Sequence, residues 1–115
     1  MTVRPGSRVR GSSTGRPIMA ALDLLGRRWC LRILWELRDA PLGFRALRER
    51  CDAMSTSVLR QRLVELLDAG LVEQDDEQRY RLTRLGVDLG AALQPLLDWS
   101  RRWAKAAGRS PAGDH

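Results

Sequence analysis

The stretch Ser55-Thr56-Ser57-Val58-Leu59-Arg60-Gln61-Arg62-Leu63-Val64-Glu65-Leu66-Leu67-Asp68-Ala69-Gly70-Leu71-Val72 decides the fold. Ser55 suits a helix N-cap, because its hydroxyl can accept from a backbone N–H of the first turn. Leu59, Leu63, Leu66 and Leu67 then fall on one helical face. Ala69-Gly70 ends the run, and Gly70 suits the left-handed residue that follows a helix. Just upstream, Phe44, Leu47 and Cys51 mark the apolar stripe of a shorter helix, and Asp52-Ala53-Met54 is the break between the two. Two short helices joined by a tight turn form a helix-turn-helix, the motif that places its second helix in the DNA major groove.

Working outward, Arg28 to Leu37 is apolar on most sides, with Trp29, Cys30, Leu31, Ile33, Leu34, Trp35 and Leu37. A helix of that kind belongs at the centre of a core. Asp39-Ala40-Pro41 interrupts it, since proline disfavours helix in the residue before it. Earlier still, Ile18, Leu22 and Leu25 predict a first short helix ending at Gly26. On the other side, Leu71-Val72 and Tyr80-Arg81-Leu82 are extended pieces around a polar tip, a β-hairpin wing. Thr83 caps a long last helix carrying Leu85, Leu89, Leu93, Leu96 and Trp103, and Pro95 inside it predicts a kink or restart about one turn earlier. The reading is a mainly α winged helix-turn-helix domain over residues 18–103. It is flanked by a flexible basic tail, 1–17, and a flexible tail, 104–115. The first tail carries Arg4, Arg8, Arg10 and Arg16 and no acid. It is either an arm that follows a neighbouring groove or an inert soluble tail.

Composition bounds the function. A chain of 115 residues has room for one domain. Its formal charge is +6, and every basic residue except Lys105 is arginine. Arginine makes planar bidentate contacts to phosphate and guanine. A GC-rich genome would give the same bias, so both origins stay open. There is no apolar run near the roughly 18 residues that span a bilayer, and no secretory h-region, so a cytoplasmic protein is expected. Cys30 and Cys51 form no disulfide framework or metal spacing, and His115 is the only histidine. No nucleophile–base pair, carboxylate dyad or phosphate-cradling glycine loop is present, so neither an enzyme nor a cofactor or metal is expected.

In this order the elements resemble the HxlR family of winged-helix regulators, relatives of the MarR type, across roughly residues 16–103. The resemblance rests on Leu22-Asp23-Leu24-Leu25-Gly26-Arg27-Arg28-Trp29, Ile33-Leu34-Trp35-Glu36-Leu37 and Pro41-Leu42-Gly43-Phe44-Arg45-Ala46-Leu47. It continues through Ser55 to Val72, then Tyr80-Arg81-Leu82-Thr83 with Gly86, and Trp99. It implies a homodimer built from the first and last helices, with Ile18, Leu22, Leu89, Leu93, Leu96, Trp99 and Trp103 at the interface. It further implies a repressor on an inverted-repeat operator, with recognition helices in successive major grooves and wings along backbone or minor groove. The competing reading is a winged-helix adaptor that contacts proteins and binds DNA poorly.

Facing Leu59, Leu63 and Leu66 inward turns Ser57, Gln61 and Val64 outward, with Arg60 and Glu65 on the shoulders and Arg62 to one side. Gln61 can then pair with adenine and Arg60 with guanine. Ser55, Thr56 and Ser57 suit phosphate or bases, and Arg62 suits phosphate. Residues 27–62 hold nine arginines against four acids, a local net of +5. Three positions depart from the family pattern. Gly43 stands where an arginine is usual, and Arg45 is the candidate replacement. The wing from Glu73 to Arg79 holds four acids and one arginine, leaving Arg79 and Arg81 as its candidate DNA contacts. Arg16 occupies the place of a redox-responsive cysteine before Pro17. Cys30 and Cys51 then read as buried small hydrophobes, with a thiol sensor at Cys30 the alternative. Trp35 is the candidate wall of an effector pocket.

Overall fold

The computed structural model describes residues 16–108. Its elements are α1 (Pro17–Leu25), α2 (Cys30–Glu36), α3 (Phe44–Arg50), α4 (Thr56–Asp68), β1 (Val72–Gln74), β2 (Tyr80–Leu82) and α5 (Arg84–Ala106). The mainly α fold with a single hairpin is the one expected, and the basic tail lies largely outside the described residues.

Two expected helix limits move, each for a local reason. The second helix begins at Cys30 because Trp29 takes a left-handed conformation, φ 79°. Arg27 and Trp29 each offer a carbonyl to the start of α2, bonded by the N–H groups of Cys30 and Ile33 at 3.2 and 2.9 Å. The last helix runs through Pro95 without a restart and continues to Ala106, three residues past the expected boundary. Pro95 has no N–H for the carbonyl of Ala91, but both residues are exposed and water can take that acceptor. Ala104 near the end of α5 is fully buried.

The core gathers one face from each of α2, α3 and α4. Ile33, Leu47, Leu59, Leu63 and Leu66 are fully enclosed together with Cys30 and Cys51. Ser55 caps α4 by accepting from the Val58 N–H at 3.4 Å, and Gly70 follows the helix at φ 77°. The turn before α4 is tight enough that Asp52 and Ala53 both adopt positive φ, 59° and 54°. It is held from outside by arginines. Arg48 donates to the carbonyls of Met54 at 2.7 Å and Ala53 at 3.4 Å, and Arg32 donates to the Arg50 carbonyl at 2.6 Å.

The hairpin pairs Val72 with Leu82, Glu73 with Arg81 and Gln74 with Tyr80, antiparallel. Leu42, ahead of α3, adds a bridge to Tyr80 through bonds of 2.9 and 2.8 Å. Thr83 joins hairpin to α5: its hydroxyl donates to the Gly70 carbonyl at 2.6 Å and accepts from the Gly86 N–H at 3.1 Å.

Candidate nucleic-acid interface

The N-terminal half of α4 presents Ser55, Thr56, Ser57, Arg60 and Gln61 together, all exposed. Their backbone is set by the Ser55 cap and by the leucine face that α4 turns to the core. The hydroxyls of Ser55 and Ser57 lie 3.0 Å apart, so one donates to the other. Arg60 stands over the ring of Phe44 from α3, its guanidinium carbon 4.8 Å from the ring centroid. That contact restrains the side chain while leaving its donors open. Arg45 is exposed on α3 and has no ion pair among the described residues.

Two residues of α4 differ from the expected phasing. Glu65, expected on a shoulder, is buried, with 7% of its surface exposed. Arg62, expected on a phosphate, is turned into the protein. It donates to Glu65 Oε1 at 2.6 Å and to the Arg28 carbonyl at 3.0 Å. Arg27 reaches Glu65 Oε2 at 2.9 Å, and Gln61 Nε2 donates to the same oxygen at 3.1 Å. Burial alone would raise the Glu65 carboxyl. The hydrogen bonds from Gln61 and Arg62 and the charges of Arg27 and Arg62 outweigh it and hold the group below the usual glutamate range. The Gln61–Glu65 and Arg62–Glu65 contacts have the i,i+4 and i,i+3 spacing of helical pairs, a signal that the phasing on the leucines does not use. The contact to Arg27, from a distant turn, had no sequence signal.

The same accounting thins the basic segment. Arg27, Arg32, Arg38, Arg50 and Arg62 all have carboxylate partners, and Arg48 is spent on carbonyls. Arg28 lies 5.9 Å from the Trp29 ring centroid. Arg28, Arg45 and Arg60 are the exposed cations of this segment with no acid partner among the described residues, and of these Arg60 lies on α4 itself. In the wing, Arg79 and Arg81 are not open donors. Arg79 is bonded to Asp75 at 2.9 Å and Glu77 at 3.2 Å, and Arg81 to Glu73 at 2.8 Å. The Asp75 carboxyl also accepts from the backbone N–H groups of Arg79 and Glu77, and these bonds, led by the one from Arg79, hold it below the usual range.

On α1 and α5, apolar side chains are left uncovered. Ile18 and Leu22 on α1 and Leu96, Trp99 and Trp103 on α5 are exposed, the last two stacked with centroids 6.1 Å apart. Leu93 is half-buried, and Leu89 packs against the core of its own chain. Leu89 therefore contributes to the fold of one subunit whatever else it touches.

The sensor candidates have different surroundings from those expected of a sensor. Cys30 and Cys51 have no exposed surface. Burial pushes both thiols up to about 11, and Glu65 adds to the effect at Cys30 against the opposing Arg62 and Arg27. A reactive thiol requires access and a lowered pKa; these are neutral core residues. Trp35 is exposed, but the Arg38 guanidinium sits 3.7 Å from its ring centroid, on the face a flat ligand would use.

A helix-turn-helix whose second helix is exposed at its N-terminal half, followed by a paired hairpin, defines a winged-helix DNA-binding protein. The chain belongs to the HxlR-like helix-turn-helix family, whose profile matches residues 24–107. It is 38% identical over 100 residues to an HTH-type transcriptional regulator of Mycobacterium bovis, covering 80% of this chain and 59% of that one. The chain thus spans about three fifths of that longer relative. YodB, an HTH-type transcriptional regulator of Bacillus subtilis, is 30% identical over 92 residues, 75% of this chain and 82% of YodB. The structure of quinone-bound YodB superposes with a TM-score of 0.69 at 33% identity, over 74% of this chain and 94% of that one. A MarR-family regulator structure from Enterococcus faecalis gives a TM-score of 0.71 at 26% identity, over 90% and 100%. The family and these relatives are transcriptional regulators, not enzymes. Among the described residues no helix is long and apolar enough to cross a membrane.

Proposed function

We propose that the chain acts in the cytoplasm as a homodimeric repressor that reads an inverted-repeat operator through the N-terminal half of α4. Ser55, Thr56, Ser57, Arg60 and Gln61 face the major groove, Arg45 meets the flanking backbone, and Arg79 and Arg81 in the wing contribute little. The observation that carries this reading is the set of exposed donors on α4, where Arg60 has an aromatic ring beneath it and no acid on it. The dimer rests on the uncovered Ile18 and Leu22 of α1 and Leu96, Trp99 and Trp103 of α5, because large apolar side chains left exposed together on a helix mark an association surface. Repression rests on family resemblance. The binding of quinone by YodB supports a small-molecule effector, and the enclosed cysteines argue that it does not act through their thiols.

Selection of bound fragments from the native genome, followed by footprinting, tests the proposal. A two-fold dimer should protect an inverted repeat with half-sites about one helical turn, or a multiple of it, apart. Sedimentation should give a dimer, and Trp99→Asp should shift it towards monomer. No selective retardation of any fragment at low salt would instead favour the protein-contacting adaptor.

A further inference from the structure

We propose that Glu65 is a positioning residue for sequence recognition: held by Arg27 and Arg62, it fixes the Gln61 carboxamide with one polar edge turned outward. This rests on the reading of Gln61 as a base contact. Glu65 has a side chain only 9% exposed, yet it takes an ion pair from each of two arginines. A carboxylate in that position is ionised and can only accept hydrogen bonds. The Gln61 atom 3.1 Å from Oε2 must therefore be the amide nitrogen, which removes the usual ambiguity of an amide flip.

The carboxylate also repels the amide oxygen of Gln61. Donation through the hydrogen trans to that oxygen keeps the two oxygens farthest apart. The edge left over carries Oε1 and the remaining N–H side by side, the pattern that matches N6 and N7 of adenine. A glutamine without this support would sample reversed and turned-away amides and would lose rotamer freedom on binding DNA. Here that ordering is met on folding. The support is anchored beyond α4: Arg27 also binds Asp23 of α1 at 3.1 Å, and Arg62 binds the Arg28 carbonyl at 3.0 Å.

The test compares wild type, Gln61→Ala, Glu65→Gln and the double variant on a duplex recovered by selection from a random library. Each base pair of that duplex is then replaced in turn. Gln61→Ala should cut discrimination at one base pair per half-site by roughly fivefold to 150-fold. Glu65→Gln should lose most of that discrimination at the same pair, keep it elsewhere, and add nothing in the Gln61→Ala background. If Glu65→Gln retains full discrimination at the pair that Gln61→Ala loses, the positioning role falls and the Gln61 contact stands. If Gln61→Ala changes no base pair, both fall. Should Glu65→Gln fail to fold, side-chain 15N relaxation of wild-type Gln61 decides without DNA. An order parameter near that of rigid backbone, about 0.85, supports the positioning role, and a value below about 0.6 overturns it.

Discussion

Helix α4 and the wing lie next to each other in sequence, and both carry arginines. Arg62 of α4 is closed on Glu65 much as the wing arginines are on their acids, but Arg60 is used in the opposite way. On α4, Arg60 rests on Phe44 with its donors unclaimed by any acid. In the hairpin, Arg79 and Arg81 are each closed on acids of their own element. Exposed ion pairs of this kind are worth only about 0–1 kcal/mol, so opening them is cheap. Opening them, however, would leave Glu73, Asp75 and Glu77 facing phosphate. Formal charge therefore does not measure a surface's capacity to bind DNA; the partners of each cation do. The wing's firm contacts point inward instead, through Leu42–Tyr80, Thr83 and Gly86, which makes it a brace between the helix-turn-helix and α5.

That division is broken most severely at Gly86. A Cβ there would lie 2.3 Å from the Leu71 carbonyl oxygen and 3.2 Å from Leu82 Cβ. Both neighbours belong to the wing or its approach, and a backbone oxygen cannot step aside as a flexible side chain can. Gly86→Ala should cost about 3 kcal/mol, at the upper end of overpacking. For a domain of this size that is a fall of roughly 12–24 °C in melting temperature by calorimetry. A variant melting with the wild type would mean that the wing does not seat α5.

The helix side is next in size. Arg60→Ala should weaken operator binding by about 1–2 kcal/mol, roughly tenfold, in fluorescence anisotropy at fixed salt. Arg81→Ala should change it by less than about twofold, as expected for a cation already neutralised. Equal losses from the two substitutions would erase the contrast between helix and wing.

Much of this was legible because it is local. Ser55 and Gly70 bound α4 by cap chemistry, and Phe44, Leu47 and Cys51 set α3 by spacing, so the order of elements followed from short-range rules. The exposed serines, Arg60 and Gln61 came from phasing α4 on its leucines. Phasing failed one step off that face. Arg62 and Glu65 were placed by angle alone, whereas their positions are set by Arg27 and the Arg28 carbonyl, which tertiary folding brings in. Trp29 was hidden for a related reason: a bulky residue at φ 79° has no local preference for it and is held by its packing against the core. The wing's acids were plain in the sequence, but the pairing of Glu73 with Arg81 depends on the hairpin register.

That pair gives the smallest and most selective test. Glu73→Gln removes the carboxylate 2.8 Å from Arg81 while keeping the strand position and side-chain length. Arg79 would stay engaged, because Asp75 holds it through both its side chain and its backbone N–H. Freed alone, Arg81 should tighten operator binding a few-fold at low salt. The log–log salt dependence should steepen by about 0.9, the contribution of one further phosphate neutralised. Tighter binding with an unchanged slope would point to lost repulsion from Glu73 rather than a new contact by Arg81. No change in either quantity would mean that the wing stands away from the backbone altogether, so its position as well as its charge pairing would keep it off DNA.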